Sequence, residues 1–104
     1  SNTKILIIQA IDRQVDLDDL ADSLGLDFPD FISELETIVE AGTKIDINYF
    51  INDILDEEQL EDMIDYFKSC TEDNPEKAIK ELGSDYDEDD IRLVRVKFIS
   101  DMGN

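Results

Sequence analysis

The sequence predicts an all-α domain: a helix-turn-helix-like three-helix unit followed by about three further packed helices. Three observations carry that reading. Apolar residues recur at helical spacing from Val15 to Gly42 and again from Leu60 to Phe67. Capping residues and glycines bracket those stretches, among them Asp16, Gly25, Gly42, Asp56 and Asn74. Two-residue alternation, the mark of a strand, is confined to TKIDI at 43–47, so one short extended segment after Gly42 is the only departure expected. The 104 residues fit one domain with a small core, divided into a first half at 3–47 and a helical second half at 48–103.

The elements follow in order. Lys4 to Arg13 has apolar residues at 5, 8 and 11, with Leu6, Ile7 and Ala10 filling in. Period and length favour a buried helix, although Ile5 to Ile8 alone reads equally as a strand. Asp16 is a good N-cap for a helix from Leu17 to about Leu24, whose stripe is Leu17, Leu20, Ala21 and Leu24. Gly25 can take the left-handed conformation that ends it. A third helix begins at Asp27 or Phe28, with Pro29 in the first turn, where a missing N–H costs nothing. Phe31, Ile32, Leu35, Ile38 and Val39 lie on one face of it, and Gly42 closes it.

The 43–47 segment stands where a winged helix would start its wing, but no Asn-Gly or Asp-Gly turn follows to complete one. Asn48 to Leu55 reads as a short helix capped by Asn48, its Tyr49 and Phe50 packing on the first unit. Asp56 caps an amphipathic helix to about Ser69 along Leu60, Met63, Ile64 and Phe67. Asn74 and Pro75 open a helix that ends near Leu82 and Gly83. The last helix runs from about Glu88, capped by Asp87, to Met102. Six or seven elements are expected in all.

Composition narrows function. Net charge is −19, which repels phosphate and anionic membrane surfaces and favours a basic partner. One cysteine, Cys70, excludes an intrachain disulfide and fits a reducing compartment. With no histidine, a Cys/His zinc site is ruled out and the commonest general base is missing. No apolar run is long enough for a membrane span or a signal peptide, so a cytoplasmic location is expected. Neither G-x-x-x-x-G-K-[ST] nor G-x-G-x-x-G occurs, and no carboxylate pair stands out among so many acids. Catalysis by this chain alone is not expected. Catalytic, cofactor and metal sites are read as none.

A helix-turn-helix invites a DNA-binding reading through its second helix, Pro29 to Ala41. That helix offers Asp30, Glu34, Glu36 and Glu40, with no Lys or Arg. Ser33 and Thr37 are its only neutral hydrogen-bonding candidates. The acidic run GSDYDEDD fails as a calcium loop counted from Asp85: position 6 is Asp90 instead of Gly, and position 12 is Val96 instead of Glu. Arg92, Arg95 and Lys97 form the densest basic cluster. They are candidates for contact with phosphate or an acidic protein. The plainer alternative pairs them with Glu88 and Asp89 on their own helix.

The order QAIDRQVDLDDLADSLGLDFPDFISELETIVEAGTKIDINYFI, followed by ELGSDYDEDDIRLVRVKFISDMG, resembles the extreme C-terminal region of bacterial RecQ-type ATP-dependent DNA helicases. The resemblance covers about Ile8 to Gly103 and rests on the "LDDLADSLGL" helix and turn, the long helix ending in "AGTKIDI" and the terminal "DEDDIRLVR". It implies a non-catalytic accessory domain. The parent would unwind DNA in recombination and repair, with ATP and Mg bound in motor lobes outside this piece. Expected partners are the remainder of the helicase chain or a basic protein surface, with direct nucleic-acid binding by this acidic chain unexpected and no membrane. Modulation of how the motor engages DNA is a further expected role. Two other classes compete: a stand-alone helix-turn-helix DNA-binding regulator and an acidic DNA-mimic protein.

Overall fold

A computed structural model describes residues 2–103. Ser1 and Asn104, the ends of the expected domain, lie outside the described residues. Among these residues there are seven helices and no strand: α1 Asn2–Asp12, α2 Leu17–Ser23, α3 Phe28–Glu40, α4 Asn48–Ile54, α5 Glu57–Ser69, α6 Pro75–Leu82 and α7 Glu88–Met102. The fold is all-α, as the periodicity predicts. Four helices follow the first three, among them the short helix expected from Asn48, so the count is seven, within the six or seven elements expected.

The first three helices form the expected unit, and all three end in the same way. The residue after each last turn is left-handed: Gln14 at φ +58°, Gly25 at +70° and Gly42 at +95°. In each case two backbone bonds close the end. Val15 N–H donates to Ala10 O and Gln14 N–H to Ile11 O; Leu26 N–H donates to Ala21 O and Gly25 N–H to Asp22 O; Thr43 N–H donates to Ile38 O and Gly42 N–H to Val39 O. These are the paired bonds of the Schellman motif, which satisfy carbonyls the helix leaves open. At the other ends, Asp16 accepts from Asp19 N–H, Asn74 accepts from Lys77 N–H, and Asp56 and Gln59 form a reciprocal capping box.

Several local expectations are corrected. In α1 the buried residues are Ile7, Ala10 and Ile11, while Ile5 and Leu6 are about half exposed at 53% and 51%. The stripe is therefore 7, 10, 11 and not 5, 8, 11. An apolar run at 5–8 fills the whole circumference of a turn, so its period cannot say which side faces inward. Asn48 is not the cap of α4; its N–H donates to the Asp46 carboxylate two residues earlier. Asp87 stands at the start of α7 without a side-chain capping bond. The 43–47 segment pairs with no strand. Its alternation survives as burial of Ile45 and Ile47, and the backbone of Ile45 bonds to a side chain of α7: its N–H donates to Ser100 Oγ at 2.9 Å and its carbonyl accepts from the same hydroxyl at 2.8 Å.

The chain packs around α7. Ile91, Leu93, Val94, Arg95, Val96 and Ser100 are all buried, and Arg92 and Lys97 are only partly exposed, so most of the circumference of this helix's middle turns is enclosed. It lies against α3, α4, α5 and α6. Leu35, Ile38 and Val39 of α3, Met63 and Phe67 of α5 and Ala78 of α6 share one hydrophobic cluster with it. Two phenols tie loops to this frame. Tyr49 Oη donates to Val15 O at 2.6 Å, joining α4 to the turn after α1. Tyr86 Oη donates to Asp62 at 2.6 Å, joining the lead into α7 to α5.

Nothing lies within 4 Å of a Cβ built on Gly25, so an alanine there meets only the backbone penalty of the left-handed region. Gly25→Ala is expected to lower stability by about 1 kcal/mol. Gln14→Gly, which relieves the same penalty, is expected to be neutral or stabilising. Urea midpoints of the two variants check this. Equal destabilisation by both would contradict the shared end geometry.

Candidate functional site

The outward face of α3 is the place to look for a DNA-reading surface; Asp30, Ser33, Glu34, Thr37 and Glu40 are exposed on it, and α7 runs along its edge at Glu36. The Arg92 guanidinium forks onto Glu36, with Nε to Oε2 at 3.1 Å and Nη2 to Oε1 at 2.8 Å. Its Nη2 also donates to Ser33 Oγ at 3.0 Å, and its Nη1 to the Pro29 carbonyl at 3.2 Å. One arginine therefore spans the first half of α3. Glu36 and Arg92 are only 17% and 16% exposed, so their hydrogen bonds are shielded and worth more than a surface pair.

Arg95 stands one turn further along and is 3% exposed. It forks onto Asp73, in the segment between α5 and α6, with Nε to Oδ1 at 2.8 Å and Nη2 to Oδ2 at 2.7 Å. Nη2 also donates to Glu40 at 3.0 Å. Nη1 has no hydrogen-bond partner, and Glu36 Oε2 lies 3.9 Å from it. A buried cation needs compensating charge, and here three carboxylates from two segments converge on it. Burial by itself pushes Arg95 down, but the bonds to Asp73 and Glu40 outweigh it and the net shift is upward. The Arg95 hydrogen bonds hold Asp73 below the usual carboxylate range, against a smaller opposing push from burial. Hydrogen bonding to Glu36 likewise raises Arg92.

The sequence-level candidates are thus placed as follows. Ser33 accepts from Arg92 and donates to the Pro29 carbonyl at 3.3 Å. Thr37 donates to the Ser33 carbonyl at 3.1 Å. Lys97 is away from the two arginines' partners and pairs with Asp101 at 2.7 Å, an i, i+4 contact. The plainer pairing for Arg92 and Arg95, with Glu88 and Asp89, is corrected: their hydrogen bonds go to α3 and Asp73, because the turns that carry them face α3 across the packed interface. Glu88 and Asp89 add only longer-range attraction on Arg92. The sequence reading missed Glu36, Glu40 and Asp73 as partners. Glu36 and Glu40 sit four apart and Arg92 and Arg95 three apart, a pitch match that suggests facing helices. Asp73 lies in a loop and left no such signal.

A family model described as "RecQ-1-like, helix-turn-helix domain" matches residues 1–51. Residues 1–51, just under half of the chain, are thus similar to the RecQ-1-like helix-turn-helix domain. The match covers α1 to α3, the 43–47 segment and the first half of α4; α7 and its arginines lie outside it. This is a family of non-catalytic accessory domains. No curated protein matches the chain. Among the described residues, no group of three or more His, Cys, Asp or Glu is placed to hold a metal ion, and no helix is long and apolar enough to cross a membrane.

The carboxylates divide by pH. Asp18, Asp89 and Asp90 are raised, each mainly by burial and then by neighbouring acids. Their contribution is favourable when protonated and is lost as pH rises through their raised pKa values. Asp73 is depressed, so its contribution is present above the ordinary aspartate range and lost as pH falls through its folded value. Stability is expected to rise as pH drops from neutral toward about 4, then to fall. Asp73→Asn should remove part of that acid limb at a cost under about 1 kcal/mol near neutrality, since its side chain is 61% exposed. Urea midpoints across that range, for both proteins, check this. A monotonic loss from neutral downward would contradict it.

Proposed function

We propose that this chain is a non-catalytic accessory domain of a RecQ-type ATP-dependent DNA helicase, and that it works by docking onto protein. The observation that carries the docking half is the chemistry of the α3 face, which is exposed but acidic and partly engaged by the arginines of α7. A helix that reads DNA must lay unengaged side chains, chiefly Arg and Lys, against phosphates and base edges. Here Ser33, Glu36 and Glu40 are bonded to arginines of α7. Of the remaining polar residues of α3, Asp30 and Glu34 are exposed acids, and Thr37 is exposed with its hydroxyl turned onto the Ser33 carbonyl. The family match to residues 1–51 supports the RecQ half.

On this reading the domain takes no cofactor of its own, and ATP and Mg act in the parent's motor. Its partner is the remainder of the helicase chain or a basic surface of another protein. The net charge of −19 favours such surfaces and opposes contact with phosphate at distances up to about 8 Å in physiological salt.

Titration with single-stranded, duplex and forked DNA at low salt tests the docking claim. No binding tighter than about 100 μM is expected. Micromolar affinity that weakens with added salt would overturn it. The reading frame around this chain tests the parentage: fused helicase motifs are expected upstream, and an independent start codon directly before it would contradict the proposal.

A further inference from the structure

The surface best built for a partner lies at the other end of α7 from Arg92. A cleft of about 320 Å³ opens between the C-terminal half of α7, the end of α5 and the segment into α6. That volume is at the lower end for a ligand site and suits one or two large side chains. Phe67 and Phe98 stack in its wall at 5.8 Å, and Tyr66 meets Phe67 edge-on at 5.4 Å. Met102 stands at its edge, 66% exposed, the most exposed large apolar side chain among the described residues. The Tyr66 hydroxyl is buried with no hydrogen-bond partner, its neighbour being the weakly bonding Cys70 thiol.

Charge says what kind of occupant fits. The charged residues of the lining are Glu72, Asp73 and Arg95. Arg95 is already held by Asp73 and Glu40, so it offers no net attraction to an anion. Glu72 has no cation opposite it in the lining, and the chain as a whole stands at −19. An acidic or neutral apolar segment would approach against or without the field; a basic one is drawn in. We propose that this cleft receives a large apolar side chain of a partner peptide segment flanked by Lys or Arg. This rests on the docking reading above and names its surface and partner chemistry.

The test uses the full chain and a synthetic octapeptide with a Trp-Leu pair between lysine-rich flanks. Amide and methyl chemical shifts are followed on titration. Perturbations are expected at Tyr66, Cys70, Phe98, Ile99 and Met102, with affinity in the micromolar range. Glutamates in place of the lysines should weaken binding about tenfold or more, and Ser-Ser in place of Trp-Leu should abolish the shifts in the cleft. Met102→Ser and Glu72→Lys, both at exposed positions that leave the core intact, should each weaken binding about threefold or more. If the Ser-Ser peptide binds as well, with shifts on the acidic face of α5 at Glu57, Glu61 and Asp65, the attraction is charge alone. That result overturns the cleft and leaves the docking reading standing. Absence of any binding at millimolar peptide also overturns the cleft.

Discussion

Burial of α7 is the constraint on which the rest of this structure depends. A helix enclosed over most of its middle turns has to find partners for the buried polar groups it carries. Arg95 is the hardest case, a cation at 3% exposure. Its guanidinium draws Asp73 from the α5–α6 segment and Glu40 from α3 onto one point, and Ser100 draws in the backbone of Ile45. The helix-turn-helix unit, the loop into α6 and the 43–47 segment are thus fixed by polar groups on a single helix. Such a cluster adds specificity of arrangement more than net stability, because desolvating a cation offsets much of what its partners return.

The same constraint turns a DNA-reading outline into something else. The turn, the caps and the apolar stripe of α3 are those of a helix-turn-helix, and the family match covers that part of the chain. The outward face of α3 is exposed at Asp30, Ser33, Glu34, Thr37 and Glu40 and carries no cation. Here Glu36 and Glu40 supply countercharge for α7. The acids that seem misplaced for reading DNA have a structural reason: a basic residue at 36 or 40 would face Arg92 or Arg95. Charge and fold therefore argue in one direction, toward protein contact.

Much of this was legible in the sequence because helices announce themselves locally. The stripe of α3, the caps at Asp16, Asp56 and Asn74, and the left-handed glycines were all visible as residue type at a spacing. The side of α1 that faces inward was not, because Ile5 to Ile8 is apolar all round. Nor was the centrality of α7, where Arg92, Arg95 and Lys97 interrupt the apolar residues. Arg95 sits among Val94 and Val96 with nothing in its neighbourhood to mark it as buried. Its partners are 22 and 55 residues away, and such pairings follow from topology, which no local pattern encodes. The cleft beside Met102 is likewise a product of three segments meeting.

The central claim is that α7 is an integral part of the core, not a detachable cover over α3. Native-state amide hydrogen exchange measures this directly, since it reports the free energy of opening segment by segment. The account predicts that the middle amides of α7, Leu93 to Val96, and those of α3, Leu35 to Val39, exchange together and only through global unfolding. Exchange of α7 at a clearly lower free energy than α3 would mean that the helix lifts off alone. The Arg92 and Arg95 bonds to Glu36, Glu40 and Asp73 would then be broken for part of the time, and the account of α7 as core would be contradicted.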